Sequence, residues 1–217
     1  MSFFISRIAE DPFYVVSWIV IVTFSICVHE FAHAWTALRL GDDTAAREGH
    51  LSLNPLIQMG WMSLMLLALF GIAWGAVPVD PRRLRTAARA AWVAAAGPLA
   101  NLLLAFVFSG LMVAAATLLP ESSRHVPVYF FRFAAVANGV LCLFNLLPLP
   151  MFDGWTVMAA VIPPLRAVDP ARVQSLSWLA LFAVFATPTG AWLWKGGSLL
   201  AGKMMLGWSH LALLAVG

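Results

Sequence analysis

Charge is what this chain has least of. Asp, Glu, Lys and Arg make up 11% of its 217 residues, about half the share that a soluble domain carries. It has only two cysteines, Cys27 and Cys142. Both fall inside apolar runs, so a disulfide framework is excluded and they read as small apolar fillers. No stretch joins basic residues to base-stacking aromatics, which excludes nucleic acid as an expected partner. No internal repeat, low-complexity linker or soluble module interrupts the chain. Its longest polar segments, 41–60, 78–90, 120–128 and 164–175, are loop-sized, and His50 and His125 fall within them. A cleavable leader is not expected either, because the first apolar run continues through "VHEFAHAWTALRL" without a small-residue cleavage site.

What remains is largely hydrocarbon. Hydrophobic residues make up 62% of the chain, in runs at 13–28, 61–77, 91–119, 129–151 and 176–194, with a weaker one at 198–216. Several reach the roughly 20 residues that carry a helix across a bilayer. The expected fold is an all-α polytopic membrane protein, a bundle of about five to six hydrophobic helices. The lipid bilayer is its first partner. Residues 1–217 read as one membrane-embedded domain with its core over 13–165 and accessory C-terminal helices over 176–217. The first helix should run from Pro12 to Leu40, where Gly41 and two aspartates stop it. The run 61–77 is short, contains Gly71 and Gly75, and ends in "GAVPVDP". It is read as a re-entrant or interfacial element in preference to a full crossing. The Gly97–Pro98 pair is expected to loosen the third run, and Pro148 and Pro150 to break the fourth.

The stretch "SICVHEFAHAW", residues 25–35, carries three titratable groups into this apolar setting. On a helix, His29 and His33 share one face, so both imidazoles can reach one ion. Glu30 stands beside them, angled off the ligand line. This is the H-E-x-x-H spacing, two zinc ligands plus a general base for hydrolysis. The plainer reading, a pair of core histidines satisfied by hydrogen bonds, leaves three polar groups to be compensated singly at membrane depth, whereas one divalent cation compensates them together. A catalytic zinc usually takes a third protein ligand. Of the ten acidic residues, only Glu30 and Asp153 sit within or against predicted spans. Asp153 is therefore the candidate third ligand, with a helix-capping aspartate as the alternative.

Together "HEFAH", "GPLAN" (97–101) and "NLLPLPMFDG" (145–154) resemble the site-2 protease family of intramembrane zinc metalloproteases, in its short bacterial form without PDZ or CBS domains. The likeness covers about residues 13–165. It implies one zinc ion per chain held by His29, His33 and Asp153, with Glu30 activating water. It also implies that Asn101 and Asn145 place the substrate main chain or stabilise charge at the scissile carbonyl. Taken alone, Asn101 reads equally as a buried amide pairing two helices. The chain departs from the family's usual pattern at Gln58 and Gly60, and at "GHL" (49–51), where relatives often have a histidine, an aspartate and "GRL".

The implied activity is hydrolysis of peptide bonds in or near transmembrane segments of membrane proteins, that is, regulated intramembrane proteolysis. The rival is a catalytically inactive scaffold or metal carrier of the same fold, which has no evident need for Glu30. Arg39, Arg47, Arg82, Arg83, Arg85, Arg89, Arg166 and Arg172 gather on one side under this topology, against Arg7, Arg124 and Lys195 on the other. The arginine-rich side should face the cytoplasm, placing the site toward the cytoplasmic side of a bacterial inner membrane. No feature of the sequence sets an oligomeric state.

Overall fold

A computed structural model describes residues 4–168, 179 and 187–216. Among them there is no strand, and three helices are long and apolar enough to cross a bilayer: α1 (Pro12–Arg39), α6 (Ala87–Leu118) and α7 (Glu121–Asn145). The protein is an all-α integral membrane protein. Most of the apolar run expected over 176–194, with Asp169 and Arg172, lies outside the described residues. The chain divides into two compact units, Met1–Ala100 and Asn101–Gly217.

In the first unit, α1 starts and stops where its sequence dictates. Asp11 accepts the N–H of Tyr14 at 2.9 Å, and Pro12 fills the first helical position. At the other end Gly41, with φ 103°, takes the left-handed conformation. The N–H of Asp42 then returns to Ala37 O and that of Gly41 to Leu38 O, which closes the last turn on its own carbonyls. Short helices α2 (Thr44–Arg47), α3 (Pro55–Gln58), α4 (Gly60–Phe70) and α5 (Pro81–Leu84) follow. The 11 residues of α4 reach about 16 Å, roughly half the hydrocarbon thickness. As expected for 61–77, this element does not cross as a helix. Gly71 ends it in the left-handed region, and a non-helical return segment, 72–80, follows.

Three fully buried polar side chains or their neighbours hold that return segment. Ser63 donates to Trp74 O and accepts from Trp74 N, the carbonyl of Gln58 accepts from Ala76 N, and Asp42 accepts from Asp80 N at 2.7 Å. Gln58 is itself fixed, donating Nε2 to the carbonyls of His50 and Ser52 and turning Oε1 to His50 Nδ1. Two of the positions that depart from the family's pattern, His50 and Gln58, are thus hydrogen-bonded to each other.

In the second unit, α7 and α9 (Thr189–Val216) meet through glycine. A Cβ on Gly139 would lie 3.0 Å from Gly197 O, and one on Gly197 would lie 2.7 Å from Val140 N. Trp208 of α9 rests against Gly110 and donates its indole N–H to Phe106 O of α6. After α7 the backbone turns irregularly over 146–152, with Met151 at φ 74°, before α8 (Asp153–Val161).

Two expectations are corrected. The 120–128 segment is not a loop: α7 begins at Glu121, so His125 is helical. Nor does Gly97–Pro98 break the third run, because α6 passes through Pro98 as one 32-residue helix.

Candidate metal centre

His29, Glu30 and His33 are all buried on the later half of α1. Their helical spacing brings the two imidazoles together edge to face, with Nε2 of one 2.9 Å from Nε2 of the other. The second ring nitrogen of His33 lies 2.7 Å from the carbonyl oxygen of Val93 on α6. A carbonyl only accepts, so Nδ1 of His33 carries the proton and Nε2 is left as the lone-pair nitrogen. A ligand imidazole is prepared in this way: a backbone acceptor fixes its tautomer and ring orientation.

Gly97 explains how α6 comes so near. A Cβ there would stand 2.5 Å from His29 Nε2 and closer still to His33 Nε2, so only glycine lets the helix backbone pass the pair. The same economy of space holds on the other side of α1. A Cβ on Gly75 would stand 2.5 Å from Glu30 Cγ and closer to its Oε1. The return segment therefore lies directly on the Glu30 carboxylate.

The residues present fit a zinc ion. Two nitrogens each about 2.05 Å from a tetrahedral zinc are roughly 3.3 Å apart. The observed 2.9 Å is within half an ångström of that, and the space beside both nitrogens is what a Gly97 side chain would fill.

The comparisons agree with this chemistry. The chain is 34% identical over 190 residues to "Putative zinc metalloprotease YwhC" of Bacillus subtilis (strain 168), covering 84% of each protein. This chain belongs to peptidase family M50. Residues 109–187 match the family's model, Peptidase family M50. "Putative zinc metalloprotease Rip2" of Mycobacterium tuberculosis (strain ATCC 25618 / H37Rv) is 34% identical over 81% of this chain and 67% of its own length. The Mycolicibacterium smegmatis protein of the same name is 34% identical over 76% and 64%. No solved structure matches. The M50 chain is thus a metalloprotease homologue whose metal is zinc.

The remaining residues expected at the site of this M50 chain lie in the second unit. Asp153 is half-buried and opens α8. Gly154, next to it, packs on the carbonyls of Leu146 and Leu147, which leaves no room for a side chain there. Asn145 is the last residue of α7 and donates to Leu141 O at 3.0 Å. Asn101 is fully buried and donates Nδ2 to Asn138 Oδ1 at 3.1 Å, while Asn138 donates to Ala134 O. The helix-pairing reading of Asn101 is therefore realised between α6 and α7. Asn138, a polar residue inside an apolar run, escaped the sequence reading because it belongs to none of the three motifs and is not a titratable ligand. Val93 escaped it because a backbone carbonyl carries no sequence signal.

Proposed function

We propose that this chain cuts peptide bonds in or beside the transmembrane segments of membrane-protein substrates, as a step of regulated intramembrane proteolysis. One observation carries the reading. Two imidazoles on a membrane-crossing helix turn their Nε2 atoms to one another at 2.9 Å, with a buried carboxylate on the adjacent residue.

We assign His29 and His33 as zinc ligands and Asp153 as the third. Two imidazoles and a carboxylate are a donor set that zinc takes in hydrolases, with one position left open. When bound, zinc supplies Lewis acidity toward water and the scissile carbonyl. Glu30 takes a proton from the attacking water at its carboxylate and returns it to the leaving nitrogen. Gly75 against its side chain limits the rotamers open to that carboxylate, which favours one reactive geometry. Asn101, oriented by Asn138, and Asn145 are assigned to the substrate main chain near the scissile carbonyl. A substrate helix hides its carbonyls in its own hydrogen bonds and must unwind locally. The non-helical backbone at 146–152 is suited to receive it. The arginine distribution favours a bacterial inner membrane with the site toward the cytoplasm, and residues 1–217 acting as one protease domain.

The test is Glu30→Gln. It should keep zinc at the wild-type ratio while cleavage of a membrane substrate falls at least about 100-fold, the usual worth of a general base. His29→Ala should lose the metal. Wild-type cleavage by Glu30→Gln would overturn the general-base assignment; no cleavage by either form would leave a carrier or scaffold as the better reading.

A further inference from the structure

The groove between the end of α1 and the start of α6 has no part in the proposed reaction. Its volume is about 370 Å³, and Trp35, Thr36, Arg39, Leu40 and Trp92 line it. Both indoles are open to the surroundings, Trp35 at 48% and Trp92 at 63% exposure. The guanidinium of Arg39 lies 5.7 Å from the centre of the Trp35 ring. Arg89 reaches the same place, donating Nη1 to Leu40 O at 3.2 Å.

The arginines nearby are not equivalent. Arg47 and Arg83 are each paired with Asp43, at 2.6 and 2.5 Å, and Arg83 also with Asp80 at 3.6 Å. Among the described residues no carboxylate pairs with Arg39 or Arg89. The groove thus joins two uncompensated guanidiniums to two exposed indoles at the end of a membrane-crossing helix. A small soluble anion would meet the charge and leave the indoles uncovered. An uncharged lipid would cover the indoles and leave the charge unmet.

We propose that this groove binds one anionic phospholipid. Its phosphodiester lies at Arg39 and Arg89, where planar guanidiniums suit phosphate oxygens. Its glycerol and upper acyl chains run along Trp35 and Trp92. Trp92 directly precedes Val93, whose carbonyl orients His33, so the bound lipid sits one residue from a support of the metal centre. Binding does not depend on the protease reading and is measured without any substrate.

The experiment reconstitutes the full chain in nanodiscs holding equal parts phosphatidylglycerol and phosphatidylcholine of identical acyl chains. Native mass spectrometry then counts the lipid retained on release. One phosphatidylglycerol per chain should be retained in preference to phosphatidylcholine. Arg39→Gln should lower that preference about fivefold, the usual effect of one cationic residue at a lipid surface, and Trp92→Ala should lower retention of both lipids. Arg124→Gln on α7, whose native partner is Glu121, should change neither. Equal retention of the two lipids, or a preference untouched by Arg39→Gln, overturns the proposal. Displacement of the lipid by inorganic phosphate alone also overturns it, by assigning the groove to a free anion. If Arg39→Gln does not fold, Arg39→Lys keeps the charge without the planar fork and should show a smaller loss; no loss in either it or Trp92→Ala sinks the site.

Discussion

Adding one methyl group at residue 97 tests the metal centre without touching any ligand. In a helix interior Gly→Ala normally stabilises by about 1 kcal/mol, so helix propensity predicts a tighter α6. The surroundings predict the opposite. The new Cβ would lie 2.5 Å from His29 Nε2, about 1 Å inside the ~3.5 Å optimum for such a contact. The crowding falls on the two nitrogens that face each other at 2.9 Å. Moving α6 away would stretch the 2.7 Å bond from His33 Nδ1 to Val93 O; turning the rings would part the two Nε2 atoms. Overpacking of this kind costs about 1–3 kcal/mol, and loss of a ligand's outer support costs about 10- to 100-fold in metal affinity. Gly97→Ala should therefore hold zinc at least tenfold more weakly, read by metal analysis of protein dialysed against a graded chelator, and lose cleavage in parallel. A Gly97→Ala protein with wild-type zinc affinity would refute the idea that the space beside Gly97 is where the ion sits.

Gly75→Ala should do the reverse, keeping zinc while cleavage falls at least tenfold, because the atoms nearest its Cβ all belong to Glu30; loss of zinc with activity would show that the return segment supports the ligands instead. Asn138→Leu removes the 3.1 Å hydrogen bond from Asn101 Nδ2 and should cost about 1 kcal/mol, the usual net worth of one such bond, seen as a lower unfolding temperature. Asp42 should confer acid sensitivity. Burial pushes its carboxyl up, but the hydroxyl and N–H of Thr44, the N–H of Asp80 and the charge of Arg83 outweigh this and hold it below the usual carboxylate range. A folded value below the unfolded one means its stabilisation is complete above about pH 4 and fades as pH falls through the folded value. Asp42→Asn should be less stable than wild type at neutral pH and lose less on acidification; identical acid limbs in thermal unfolding would contradict this.

Much of the fold was legible because its punctuation is chemical. Pro12 and Gly41 bound α1 since one has no N–H to lose and the other tolerates positive φ. The prolines at 148 and 150 separate α7 from α8 for the same kind of reason. The start of α7 was hidden by composition: "ESSRHVPV" is polar, yet a helix can run beyond the hydrocarbon and stay helical there. Gly97–Pro98 was legible as a place of close approach, and the backbone there does pass two imidazoles, but the expected break did not follow because α6 accommodates Pro98 within one helix. The histidine pair and its neighbouring carboxylate were evident from spacing alone. The supports were not, since Val93 acts through its main chain, and Ser63 and Gln58 act on a segment more than ten residues away.

The length of α1 has a consequence for where a substrate can be cut. Its 28 residues extend about 42 Å, against about 30 Å of hydrocarbon, so it must lean or protrude. Arg39 at its end prefers the headgroup layer. Counting back along the axis puts His33 about 9 Å and His29 about 15 Å below that layer when the helix is upright, and shallower as it tilts. On the proposed function the scissile bond would be confined to a shelf two to three helical turns beneath one leaflet's surface, and a thinner or thicker bilayer would shift which residue of a given substrate reaches that shelf.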